Sequence, residues 1–150
     1  MKHRLFSLLL ILLFAADRLL KEISIKKFSL LPQEDFFIVP KLFNFTFFKN
    51  EYLAFSLPAG VNLIIIISII ILAGLFIVLF RMFQTKNTES ASIISLIILG
   101  ALSNLQDRVS LGFVIDYFHL YPISYFNLAD LMIGAGIIAL IVTKTRRLQD

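Results

Sequence analysis

The chain contains no cysteine. Disulfides, thiolate metal sites and a cysteine nucleophile are excluded at once, and the chain cannot itself be lipidated on a cysteine. Histidine is almost as scarce: His3 and His119 make no metal-binding set, and no HExxH helix is present. Only 16% of the residues are charged, against about a quarter in an average soluble domain. Internal repeats and low-complexity segments are missing too, so residues 1–150 read as a single domain.

Apolar length is what the chain has instead. Hydrophobic residues make up 59%, and the mean hydropathy is +0.90. The formal charge of +4 sits in short basic clusters, which suit lipid headgroups better than nucleic acid. A bilayer core about 30 Å thick asks for roughly 20 helical residues. Four stretches come close: Leu5–Leu20, Val61–Phe80, Ala91–Arg108 and Phe126–Val142. The predicted fold is therefore an all-α membrane protein of four transmembrane helices. Lys2, His3 and Arg4 before the first run resemble a secretory signal peptide, but Phe14 and Ala16 make a poor cleavage site. An uncleaved signal anchor is expected.

Basic flanks set the orientation. Residues 1–5, 81–90 and 144–150 hold seven Lys and Arg in 22 residues, against six in 60 on the opposite side. Both termini are expected in the cytoplasm. In the long outer segment, Phe43, Phe45 and Phe47 alternate with Leu42, Asn44 and Thr46. That period predicts a short extended element between Pro40 and Pro58, its phenylalanine face against lipid or the spans.

With this topology the polar residues gather at the outer surface. Asp17 and Lys21 end the first span, Asn104, Asp107 and Arg108 end the third, Asp116 lies in the outer loop, and Asn127 and Asp130 open the fourth. Spacings of three and four put Asp17 with Lys21, Asn104 with Asp107 and Arg108, and Asn127 with Asp130 on shared helix faces. Each has a plain structural reading. Asp17 with Lys21 makes an ion pair, Asn127 an N-cap with Asp130 at N3, and Asp116 an ordinary loop aspartate. Together they predict one polar pocket, because intramembrane ionisable residues face the bundle interior or a wet cavity. Two carboxylates in one pocket cannot both ionise cheaply, so one holds a proton while the other acts as base. Such a pair can activate water against a peptide carbonyl and protonate the departing nitrogen. Spacing alone leaves a serine–lysine pair, Ser103 with Lys21, open as well.

Five segments in chain order resemble the motifs of the lipoprotein signal peptidases, the signal peptidase II family. Asp17-Arg18-Leu19-Leu20-Lys21 resembles DQxxK, and Asn50-Glu51-Tyr52-Leu53-Ala54-Phe55 resembles NxGxAF. Ser103-Asn104-Leu105-Gln106-Asp107-Arg108 is similar to GNxxDR, Gly112–Tyr117 to GxVxDF, and Phe126–Asp130 to FNxAD. The resemblance implies an intramembrane aspartyl endopeptidase with Asp116 and Asp130 as the catalytic dyad. Asn50, Asn104, Asp107, Arg108 and Asn127 would shape the pocket or hold substrate, with Asp17 and Lys21 in support. The implied substrate is a prolipoprotein already carrying diacylglycerol on its first mature cysteine, cut just before that residue. The Phe43–Phe47 region would correspond to an extracytoplasmic β-cradle. A monomer in the bacterial inner membrane, surrounded by lipid and without metal or organic cofactor, is expected. Among the departures from the pattern, Tyr52 and Ser103 replace glycines, and Arg18 replaces glutamine. Two rivals are a small transporter, which should bind near the midplane, and a scaffold subunit using the polar residues as interhelical glue.

Overall fold

Where apolar residues run without interruption, the chain is helical. The structure, a computed structural model, describes residues 2–28, 36–51 and 60–146. Tyr52–Phe55, Pro58 and Arg147 lie outside these. The elements are α1 (Lys2–Phe28), β1 (Phe36–Val39), β2 (Phe43–Asn50), α2 (Val61–Gln84), α3 (Thr88–Leu111), β3 (Val114–Leu120), β4 (Ser124–Phe126) and α4 (Leu128–Arg146).

Three of these helices, α2, α3 and α4, are long and apolar enough to cross a membrane. At 27 residues α1 is longer than any of them, but its apolar run stops at Asp17, Arg18 and Lys21. The helices also outrun the predicted spans. Helix α2 continues through Arg81 to Gln84, and α3 begins at Thr88, where the Asn87 side chain accepts from the Ser90 amide at 3.3 Å. Backbone hydrogen bonding persists past the last apolar residue, which is why hydropathy alone ended these helices too early.

Helix α3 is the centre of the bundle, packed against α1, α2 and α4. The α3–α4 contact is close because glycines face it. A Cβ on Gly100 would stand 2.6 Å from the Ala129 carbonyl oxygen, and one on Gly136 would strike the Ile97 side chain. Leu72, Ile94 and Ile98 join α2 to α3 in an apolar core.

The predicted extended element is part of something larger. Four antiparallel strands form a sheet in the order β1-β2-β3-β4. Asp116, expected in a loop, lies in β3, paired with Phe48 of β2. The burial of β2 also differs from expectation: Asn44 and Thr46 are the buried positions, and the phenylalanines are half-buried. Ser24 of α1 explains part of this, since its Oγ donates to the Thr46 carbonyl at 2.6 Å and draws that side of the strand onto the helix. Phe45 still meets the helices edge-on, through Phe28 of α1 at 5.7 Å.

Candidate active site

Gly112 ends α3 and turns the chain into β3. It stands at φ 85°, a left-handed conformation that favours glycine, and its amide donates to the Arg108 carbonyl at 3.0 Å. The turn brings Asp116 back over the end of α3 and beside the start of α4.

Asn127 joins the two aspartates. Its Nδ2 donates to Asp116 Oδ1 at 2.7 Å, while its Oδ1 accepts from the Asp130 amide at 2.9 Å. Asp130 Oδ2 accepts in return from the Asn127 amide at 3.1 Å, which completes a reciprocal capping box at the start of α4. The N-cap reading of this pair was therefore right, but it uses only one oxygen of Asp130. The other, Oδ1, accepts from Asn104 Nδ2 at 2.8 Å. Asp116 Oδ2 accepts from Asn50 Nδ2 at 2.8 Å. Three asparagines from three elements thus hold two carboxylates in place. Burial, then the nearby charge of Asp130, pushes the Asp116 carboxyl up to about 7, against the pull of Asn50, Asn127 and Lys21. Arg108, half-buried, acts electrostatically on Asp130, Asp116 and Asp107.

Behind this pair lies a second, denser cluster. Lys21 Nζ stands 2.8 Å from Asp107 Oδ2, 3.2 Å from Asp17 Oδ2 and 2.8 Å from Asn104 Oδ1. Asp107 takes Arg18 on its other oxygen, Oδ1, at 2.5 Å, while the Ile115 amide donates to Oδ2 at 3.2 Å. Asp17 accepts from Ser103 Oγ at 2.5 Å, from the Tyr117 hydroxyl at 2.8 Å and from the Ala129 amide at 3.1 Å. Two cations and two carboxylates balance, and nearly every oxygen has a donor, the condition under which charges tolerate burial.

Asp17, Lys21 and Asp107 are fully buried packing residues. The cavity of about 430 Å³ beside them is lined by Arg18, Lys21, Glu22, Asp107, Ser110 and neighbouring apolar side chains, and not by Asp116 or Asp130. The two members of the serine–lysine alternative do meet, Lys21 Nζ donating to Ser103 Oγ at 3.4 Å, but Ser103 gives its own proton to Asp17 and Lys21 is shared by two carboxylates. His119 stacks on Tyr125 at 3.9 Å, and no metal-binding group of His, Asp and Glu forms among the described residues.

Sequence reasoning missed Tyr117, the residue next to Asp116, whose hydroxyl reaches Asp17. Strand alternation would have found it, because neighbours in a strand point to opposite sides. It also set Arg18 and Ser103 aside as departures. In the fold they touch: Arg18 Nη1 donates to the Ser103 carbonyl and hydroxyl, both at 3.3 Å.

The described architecture has counterparts. Residues 9–146 match the family model for signal peptidase (SPase) II. The chain belongs to the signal peptidase II family. It is 34% identical to the lipoprotein signal peptidase of Trichormus variabilis, with 99% of this chain and 94% of that one aligned. The lipoprotein signal peptidase of Clostridium tetani is 32% identical over 90% of this chain and 88% of its own. A bacterial membrane enzyme solved by the in meso method at 2.3 Å superposes with a TM-score of 0.79 at 29% identity, covering 94% of this chain and 87% of that one. Membership of this signal peptidase family, with three helices able to cross a bilayer, makes the chain a bacterial membrane protein.

Proposed function

We propose that the chain is an intramembrane aspartyl endopeptidase that removes signal peptides from diacylglyceryl-modified prolipoproteins, cutting before the lipidated cysteine. Asp116 and Asp130 share one proton and hold a water between them. The ionised member takes a proton from that water as it adds to the scissile carbonyl; the other gives its proton to the departing nitrogen as the C–N bond breaks. One shared proton leaves the pair with a single negative charge, which the charge of Arg108 offsets. The observation that carries this reading is Asn127, one side chain hydrogen-bonded to Asp116 and in reciprocal contact with Asp130.

In this reading α1 is a fourth span. It is about 40 Å long at 1.5 Å per residue, and it turns Leu8, Leu9, Ile11 and Leu12 outward while Asp17 and Lys21 face the bundle. Both termini are cytoplasmic, and the dyad lies at the outer leaflet of the bacterial cytoplasmic membrane. Asn50, Asn104, Asp107, Arg108 and Asn127 shape the site, and Asp17 and Lys21 support it. The enzyme works as a monomer without a cofactor. A transporter reading fits less well, because the polar side chains meet at one end of the bundle rather than at its midplane.

The test is cleavage of a diacylated prolipoprotein by purified protein in detergent, followed by its size shift. Wild type cleaves. Asp116→Asn and Asp130→Asn each lose at least about 100-fold in rate while staying folded. Undiminished cutting by either variant refutes the dyad, and an inactive wild type refutes the peptidase reading. A reporter on the C-terminus that signals outside the cytoplasm overturns the topology.

A further inference from the structure

Tyr117 is fully buried, and its ring packs against Phe45 at 5.6 Å and Phe118 at 4.7 Å. Those contacts account for an aromatic residue here. They do not account for the hydroxyl, which sits deep in the protein and must find partners. It has two. The phenol donates to Asp17 Oδ1 at 2.8 Å and accepts from the Leu128 amide at 2.9 Å. The next amide of α4, that of Ala129, donates to the same Asp17 oxygen at 3.1 Å. The first amides of a helix have no partner inside it. In α4 they are satisfied by Tyr117 of β3, by Asp17 of α1 and, at Asp130, by Asn127.

This placement has a mechanical result. Tyr117 adjoins Asp116 in β3, and Leu128 lies two residues before Asp130 in α4. One oxygen atom therefore links the strand that carries one aspartate to the helix end that carries the other. Asn127 joins the two carboxylates themselves, whereas the phenol joins their backbones. Resting on the aspartyl-peptidase reading above, we propose that Tyr117 is a positioning residue whose hydroxyl fixes the separation of Asp116 and Asp130. The family motif has phenylalanine at this place, so the ring alone is compatible with the fold. The hydroxyl acts together with Asp17.

The variant Tyr117→Phe removes the oxygen and keeps the ring. With a diacylated prolipoprotein as substrate, kcat falls about tenfold while KM stays unchanged, because a small displacement of reacting groups costs rate rather than binding. Hydrogen exchange of the segment 124–131 quickens in the same variant, and exchange in α2 does not. If kcat stays at the wild-type value in an active preparation, the positioning role is overturned and the peptidase reading stands. If exchange at 124–131 is unaltered, the phenol does not hold the helix end and the proposal falls, whatever the activity. If kcat drops only in step with a general loss of folded protein, the hydroxyl is structural and the proposal likewise falls. Wild type that leaves the substrate intact overturns the peptidase reading instead, and exchange still decides whether the link exists.

Discussion

Along α2 the side chains of Ile69, Ile70, Ile71, Phe76 and Ile77 are exposed on the outside of the bundle, and the helix rests on the protein through a narrow apolar seam with α3. Along α1, Leu5, Leu8, Leu9, Ile11, Leu12 and Leu19 are exposed as well, but the inward side is Asp17, Lys21 and Ser24, all fully buried, followed by Phe28. Both helices turn apolar side chains outward. They differ in what holds them to their neighbours. Apolar packing against lipid-like neighbours distinguishes weakly between one rotation or depth and another, since lipid offers a similar environment. A buried ion pair with directed hydrogen bonds permits one register. The chain uses the first kind of contact for α2, packed on α3, and the second for α1, whose buried charges lie next to the residues that hold Asp116 and Asp130.

Breaking the charged seam should have the largest effect. Lys21→Met leaves Asp17 and Asp107 buried without their shared cation, and loss of one partner of a buried pair costs about 3–5 kcal/mol. Thermal unfolding in detergent should show a greatly destabilised protein, or no folded protein at all. Gly100→Ala should cost about 1–3 kcal/mol in the same measurement, because its Cβ has the Ala129 carbonyl oxygen in its way and α3 must move off α4. Asn50→Ala tests the chemistry more than the fold. Burial pushes the Asp116 carboxyl up to about 7, so the proposed pair, which needs one proton, should lose activity as pH rises through that value and both carboxylates ionise. The Asn50 hydrogen bond favours the ionised form, and its removal should move the alkaline limb of kcat/KM to higher pH. An unchanged limb would separate Asn50 from the titrating pair. The smallest effect belongs to α2: Ile70→Ala, on the lipid-facing side, should alter stability by less than about 0.5 kcal/mol and leave cleavage as it was. A loss comparable to that of Gly100→Ala would erase the distinction between the two helices.

The same contrast explains what could be read from the sequence. Helix α2 is legible because apolar length is its whole content. The end of α1 is not, although Asp17, Lys21, Ser24 and Phe28 recur at helical spacing on one face. A search for an apolar stripe passes over them, since the buried stripe there is mostly polar. Strand β3 was hidden in another way. Val114, Ile115, Tyr117 and Phe118 favour a strand, but Asp116 and His119 interrupt the alternation, and the pairing partner lies across the whole α2–α3 hairpin. The asparagines and acids of the site were found through motif spacing. Which of them touch Asp116 and Asp130 and which are packed behind depends on contacts between segments up to 112 residues apart, as between Asp17 and Ala129.

The pairing of β2 with β3 also bears on how the protein is made. Residues 50 and 116 are hydrogen-bonded neighbours, yet both α2 and α3 are synthesised between them, and Asn127 emerges later still. While the hairpin is being synthesised, Asn50 waits without Asp116, and Asp116 in turn emerges before Asn127. A half-inserted chain is therefore unable to hold its two acids in register. The hydrogen-bonded arrangement of the two acids is complete only when the last helix is in place.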